Sequence, residues 1–219
     1  MRPILKRMST TSHPFVSVAR AAELHLAEAE PRLAPLIAGI GPCSLLPEPD
    51  VFRGLVRAVL AQLISTAAAK SITAKVEKAV GNRLTPATLG KLTDEQLQAC
   101  GVSTGKRKTL RGVVELFQSK RGMAKLIAEG DDDAVRGHLL PLHGVGPWTV
   151  DMVLIFCLGR PDVLPVGDFG VRAGVKDLFK LRSLPDAAKL TRLTKAWRPY
   201  RTVASWYLWR SRGWVPQSV

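Results

Sequence analysis

The sequence has little cysteine, few acidic residues, no long apolar run and no stretch in which apolar and polar residues alternate. Each shortage excludes something. The three cysteines among 219 residues, Cys43, Cys100 and Cys157, stand far apart. They form neither a disulfide framework nor a metal-ligand spacing, and they fit a reducing, cytosolic setting. The apolar run around Met152 to Leu158 is bounded by Asp151 and Arg160. It is too short to span a bilayer, so no membrane is expected. The opening "MRPILKRMSTTSHPF" is basic but lacks the apolar core of a secretory signal, and residues 1–14 are read as a flexible basic tail. Without period-two alternation between turn signals, no segment makes a convincing strand.

The shortage of acid leaves a strong positive balance: 32 Lys and Arg against 18 Asp and Glu, a net charge of +14 spread along the chain. Such a surface favours a polyanion, because neutralising phosphates releases the counterions condensed on them. Ribosomal and membrane-surface proteins share this property, so charge favours nucleic acid without establishing it.

What is present is helical. "SVARAAELHLAEAE" is made of good helix formers and stops at Pro31. Asp50 can cap "VFRGLVRAVLA", whose Val51, Phe52, Leu55, Val56 and Val59 fall on one stripe. Ser65 opens "TAAAKSITAKVEKAV", and Gly81 sits where that helix would stop. Thr93 and Gln96 make a capping box ahead of a short helix closed by Gly101. "GKRKTLRGVVELFQSK" aligns Leu110, Val113, Val114 and Phe117. The expectation is an all-α protein of about ten helices. Its length allows one large domain or two small ones sharing a core, and no repeat or linker divides it.

Two connections stand out. Between a helix over Asp133 to Leu140 and a second beginning at Pro147, Gly144 and Gly146 permit positive backbone dihedrals and leave the main chain bare. A bare turn at a helix N-terminus offers N–H groups to an anion such as a DNA phosphate. The helix-turn-helix so formed spans about 133–158. The other connection is Gln62, Leu63 and Ile64, a tight interhelical turn with two aliphatics. Either they return to the core, or they form a wedge for a base stack.

"LVRAVLAQLISTAAAKSI", "LHGVGPWTVDMVL", "DVLPVGDFGVRAGV" and "WRPYRTVASWYLWRSRGW", in that order, resemble the helix-hairpin-helix (HhH-GPD) DNA glycosylases and, within them, the 3-methyladenine DNA glycosylase II group. The resemblance covers roughly Asp50 to Trp214. It implies a helix-hairpin-helix glycosylase domain over 15–219, two helical subdomains with the active site in the cleft between them, in a compact form without the β-rich N-terminal domain of some members. It implies Asp168 as the catalytic carboxylate, and the chemistry agrees: a fixed carboxylate stabilises the oxocarbenium-like sugar and orients water. A helix start favours negative charge, so Asp168 can also be the N-cap of "FGVRAGV".

Trp148 stands where strand-cutting members carry a Schiff-base lysine, so the resemblance implies a monofunctional enzyme without lyase chemistry. Trp148, Trp209 and Met152 are the expected base-binding pocket, Met152 replacing an aromatic residue of a related enzyme. A cationic alkylated purine over an indole face gains about 1–2 kcal/mol. The wedge falls to Gln62, Leu63 and Ile64, with Leu63 and Ile64 favoured equally. The DNA backbone falls to His143, Gly144, Val145, Gly146 and Thr149. Relatives hold a monovalent cation, Na+ or K+, on hairpin carbonyls, here those of Leu140, Leu142 and Val145. Catalysis needs no cofactor, and the four-cysteine loop of iron-sulfur members is missing after Trp214.

Remaining residues carry bland readings beside sharper ones. Lys106, Arg107 and Lys108 meet phosphates or form a solvated helix start, His143 is a phosphate contact or a loop residue, and Asp151 is solvated or caps a helix. Trp197, Trp206 and Trp214 are core or surface anchors. The implied function is removal of 3-methyladenine and 7-methylguanine from double-stranded DNA by a monomer, cytoplasmic with the bacterial nucleoid or nuclear in a eukaryote. The alternatives are a glycosylase for hypoxanthine or other damaged bases and a non-enzymatic DNA-binding protein, which would have no use for Asp168.

Overall fold

The computed structural model describes residues 13–213, so most of the basic tail and Trp214 lie outside the described residues. Every regular element among them is a helix. In chain order these are α1 (Pro14–Ala29), α2 (Ala34–Ile40), α3 (Val51–Ala61), α4 (Thr66–Ala79), α5 (Pro86–Leu89), α6 (Asp94–Ala99) and α7 (Thr104–Ser119). They continue as α8 (Met123–Glu129), α9 (Asp132–Leu139), α10 (Pro147–Phe156), α11 (Phe169–Leu178), α12 (Ala187–Leu193), a 3₁₀ turn (Lys195–Trp197) and α13 (Arg201–Ser211). The excess over about ten comes from short pieces such as α5 and α12, which hold too few apolar positions to show a period. Pro14 already belongs to α1, with His13 as its N-cap.

The chain divides into two compact units. The first comprises 13–47 and Gly159–Gly213. Its core is α13, buried at every position from Thr202 to Trp209, with α1, α2 and α11 packed on it. Such a helix cannot show an apolar stripe, because every face is inside. Its Tyr207 hydroxyl shares its proton between Glu23 Oε1 and the Gly41 carbonyl, both at 3.0 Å. Trp197 and Trp206 are buried, which makes them core residues.

The second unit is Glu48–Leu158. Here α3 and α10 form the centre, and α10 is buried continuously from Thr149 to Phe156. The stripe Val51, Phe52, Leu55, Val56 and Val59 is buried, and Phe52 meets Phe117 of α7 edge-on at 5.2 Å. Boundary signals act as their chemistry requires. Asp50 accepts from Arg53 N at 3.0 Å. Thr93 and Gln96 cap each other reciprocally. Gly81 turns left-handed at φ 66° after α4. Among the described residues no helix is long and apolar enough to cross a membrane.

At Gly54, α3 approaches α10 so closely that a Cβ would overlap the Cys157 sulfur. Gly54→Ala therefore lowers stability by about 1–3 kcal/mol, the usual cost of overpacking. Urea denaturation checks this, and Cys157→Ala in the same chain recovers most of the loss by clearing the sulfur.

Candidate active site

The hairpin consists of α9, a turn over 140–146 and α10. Its turn is closed by Leu142 N to Leu139 O at 3.1 Å and Val145 N to Leu142 O at 3.0 Å. Gly144 has φ 77°, and a Cβ there would also collide with the Thr109 hydroxyl of α7. Glycine is thus required twice at one position. Gly146 instead has an ordinary φ of −105°, so only one of the two glycines uses its freedom. His143 and Gly144 are exposed, and no side chain caps α10. Its first N–H groups therefore suit an anion. Val145 is buried and takes part only through its backbone. The Thr149 hydroxyl, expected on the DNA backbone, is buried and occupied within the protein.

Asp151, read as solvated or capping, is buried and accepts from Arg136 at 2.7 Å, bracing α10 against α9. Burial pushes its carboxyl above the ordinary 3.8, against the pull of Arg136.

The interhelical turn after α3 resolves into separate roles. Leu63 adopts φ 56°, strained for a leucine, and is 104% exposed. Ile64 is half-buried. Gln62 is not a free wedge: its amide donates to Gly144 O at 2.9 Å and Thr149 Oγ1 at 2.8 Å. Lys106, assigned to phosphate or solvent, is half-buried and donates to Leu60 O at 2.7 Å. Arg107 donates to Val102 O at 2.8 Å, while Lys108 is exposed.

In the first unit, Thr202 and Arg201 of α13 tie down the loop that leads to Asp168. Thr202 Oγ1 accepts from Val163 N at 3.0 Å and donates to Arg160 O at 2.6 Å. Arg201 clasps Asp162 at 2.6 Å and 2.9 Å. Asp168 itself is 3% exposed, and its Oδ1 accepts from Val171 N and Trp209 Nε1, each at 2.8 Å. It is an N-cap whose carboxylate is also fixed by an indole. Gly170 makes room, since a Cβ there would lie 2.9 Å from Trp209 Cδ1 and 3.1 Å from Asp168 Oδ1.

Trp209, expected to stack on a base, is 0% exposed and has no face to offer; its place on α13 makes it a holder of the carboxylate. Met152 is likewise buried in α10 and presents almost no surface as a pocket wall. Trp148, at the second position of α10, is half-buried. Sequence reasoning missed Phe169, 66% exposed directly after Asp168. The signal was available: Phe169 lies opposite the Val171 and Val175 stripe of α11, where a large aromatic has no core to enter. Among the described residues no cluster of three or more His, Cys, Asp or Glu could hold a metal ion. The cation expected at Leu140, Leu142 and Val145 would meet main-chain carbonyls only, of which Leu142 O already accepts from Val145 N.

Comparisons with known proteins agree with one another. The model of the HhH-GPD superfamily base excision DNA repair proteins matches residues 56–199. The chain is 33% identical over 197 residues to the alkylbase DNA glycosidase-like protein mag2 of Schizosaccharomyces pombe, covering 87% of this chain and 92% of that relative. It is 31% identical to DNA-3-methyladenine glycosylase 1 of the same yeast, covering 87% and 86%. The solved structure of the yeast 3-methyladenine DNA glycosylase in complex with abasic DNA is similar with a TM-score of 0.81 at 28% identity, covering 88% of this chain and 97% of that one.

Arg136→Met leaves the Asp151 carboxylate buried without the guanidinium that pairs with it. The expected loss is about 2–3 kcal/mol, below the ~3–5 kcal/mol of a fully buried pair because Arg136 is 33% exposed. A carboxyl raised by burial contributes stability at acid pH that is lost as pH rises above 3.8. Urea denaturation therefore shows a larger loss at about pH 7 than at about pH 4, where protonation relieves the orphaned charge.

Proposed function

Since the chain belongs to the HhH-GPD superfamily of base excision DNA repair proteins, we propose that it is a monofunctional DNA-3-methyladenine glycosylase, acting as a monomer on alkylated purines in duplex DNA. The observation that carries the reading is the Asp168 carboxylate held at Oδ1 by Val171 N and Trp209 Nε1. A protein that merely grips DNA has no use for a fixed acid, which repels phosphate.

The hairpin takes a backbone phosphate on the first N–H groups of α10, with His143 and Gly144 at the contact. Main-chain carbonyls of Leu140, Leu142 and Val145 would hold a monovalent cation there, adding positive charge toward the phosphate. Leu63 enters the stack in place of the extruded nucleotide, since the reacting bond is inaccessible inside the duplex. Ile64, half-buried, is less available for that role. Trp148 offers aromatic surface to the flipped base, and a cationic alkylpurine is favoured over an indole face.

The bond from the sugar C1′ to the purine nitrogen then breaks, and its electron pair leaves with the base. An N-alkylated cationic purine departs neutral, so no strong general acid is required. Asp168 stabilises the positive charge left on the sugar and orients a water molecule, whose oxygen bonds C1′ as its proton passes to the carboxylate and from there to solvent. The products are the free base and an abasic site. Trp148 has no amine to form a Schiff base, so strand cleavage does not follow.

Single-turnover release from methylated duplex DNA tests this. Wild type frees 3-methyladenine and 7-methylguanine, and Asp168→Asn loses on the order of 10²–10³ in rate while still binding DNA with an abasic-site analogue. Borohydride traps no covalent complex with wild type. If both proteins bind DNA and neither frees a base, the DNA-binding alternative replaces this one. A trapped adduct would contradict hydrolysis without lyase chemistry.

A further inference from the structure

We propose that Lys106 is a positioning residue for base extrusion, setting the Leu63 wedge through the main-chain carbonyl of Leu60; this rests on the glycosylase reading above. A helix leaves its last carbonyls without intrahelical partners, and a buried one must find another donor. The break at Gln62, with ψ 130°, and at Leu63, with φ 56°, ends α3 abruptly. Leu60 is fully buried one residue before that end. Lys106, 46 residues later on α7, supplies the donor: its Nζ lies 2.7 Å from Leu60 O. An ammonium at a helix C-terminus also meets the negative end of the helix dipole. Burial lowers the Lys106 pKa, consistent with a group withdrawn from water.

The other flank of the same turn is held independently. Gly144 O can only accept, so the Gln62 amide nitrogen faces it, and the same nitrogen donates to Thr149 Oγ1. The wedge is thus gripped from α7 before Leu63 and from the hairpin at Gln62. Leu63 itself makes no packing contact that could hold a left-handed leucine, being fully exposed. A strained residue persists only where its surroundings over-determine it. The clamp is what keeps the wedge from yielding when it is pushed against stacked bases, and the Gln62 link makes the phosphate-gripping turn and the wedge move together.

Duplex and single-stranded substrates separate this role from a general one, because a single strand has no stack to open. The experiment measures single-turnover release of 7-methylguanine from one oligonucleotide, alone and in duplex, with Lys106→Met, Lys106→Arg, Leu63→Ala and the Leu63→Ala/Lys106→Met double variant. Lys106→Met is expected to slow the duplex reaction about tenfold and the single-strand reaction less than twofold, and to cost nothing further once Leu63 is alanine. Lys106→Arg keeps the charge, but its planar fork does not end on one carbonyl as an ammonium does. It is expected to lower the duplex-to-single-strand ratio as well, and it serves by itself if the methionine variant fails to fold. Equal slowing on both substrates, effects that multiply with Leu63→Ala, or a wild-type ratio in Lys106→Arg would overturn the proposal. If wild type frees no base from either substrate, the glycosylase reading has failed and this inference falls with it.

Discussion

The hydrogen bond from the Trp209 indole to Asp168 Oδ1, 2.8 Å long and buried, is the constraint around which the first unit is arranged. A buried carboxylate is costly unless donors meet it, and here an indole and a helix N-terminal N–H converge on one oxygen. That convergence requires α11 and α13 to lie close. The glycines of α11 make it possible: Gly170 clears the indole, and at Gly174 a Cβ would stand 2.8 Å from Leu208 Cβ. The same helix, α13, anchors the loop before Asp168 through Thr202 and Arg201. One buried helix therefore fixes both the approach to the acid and the acid itself.

The second unit solves the opposite problem, presenting main chain to solvent without losing its shape. Its hairpin turn is bare because Gly144 sits against Thr109, where no side chain fits. Stiffness comes from neighbours instead: Arg136 joins α9 to α10, and Gln62 joins the turn after α3 to the hairpin. Backbone carbonyls at the helix end and in the turn are met by side chains, Leu60 O by Lys106 and Gly144 O by Gln62. Binding energy from the phosphate is useful for extruding a base only if the grip and the wedge are mechanically continuous.

Local chemistry was legible in the sequence. Asp50, Thr93 and Asp168 cap the helices they precede, because a cap needs only its own residue type and a donor three residues later. Gly144, Pro147 and the stripe on α3 could be read for the same reason. Roles set by distant partners could not. Trp209 meets Asp168 across 41 residues and Gln62 meets Gly144 across 82, and neither separation leaves a periodic trace. Asp151 read as solvated because its arginine lies on the other hairpin helix, 15 residues away. Phe169 was the exception, since the α11 stripe alone marks it as facing outward.

The central claim is that Asp168 stabilises positive charge on the sugar. The most direct measurement is the affinity for duplex DNA holding a cationic pyrrolidine sugar analogue, compared with the neutral tetrahydrofuran analogue, in wild type and Asp168→Asn. The account predicts that wild type prefers the cationic analogue by about tenfold or more, in the manner of a transition-state mimic. The asparagine variant should lose that preference while binding the neutral analogue normally. An equal preference in both proteins, or none in wild type, would contradict the account and return Asp168 to the role of a helix cap.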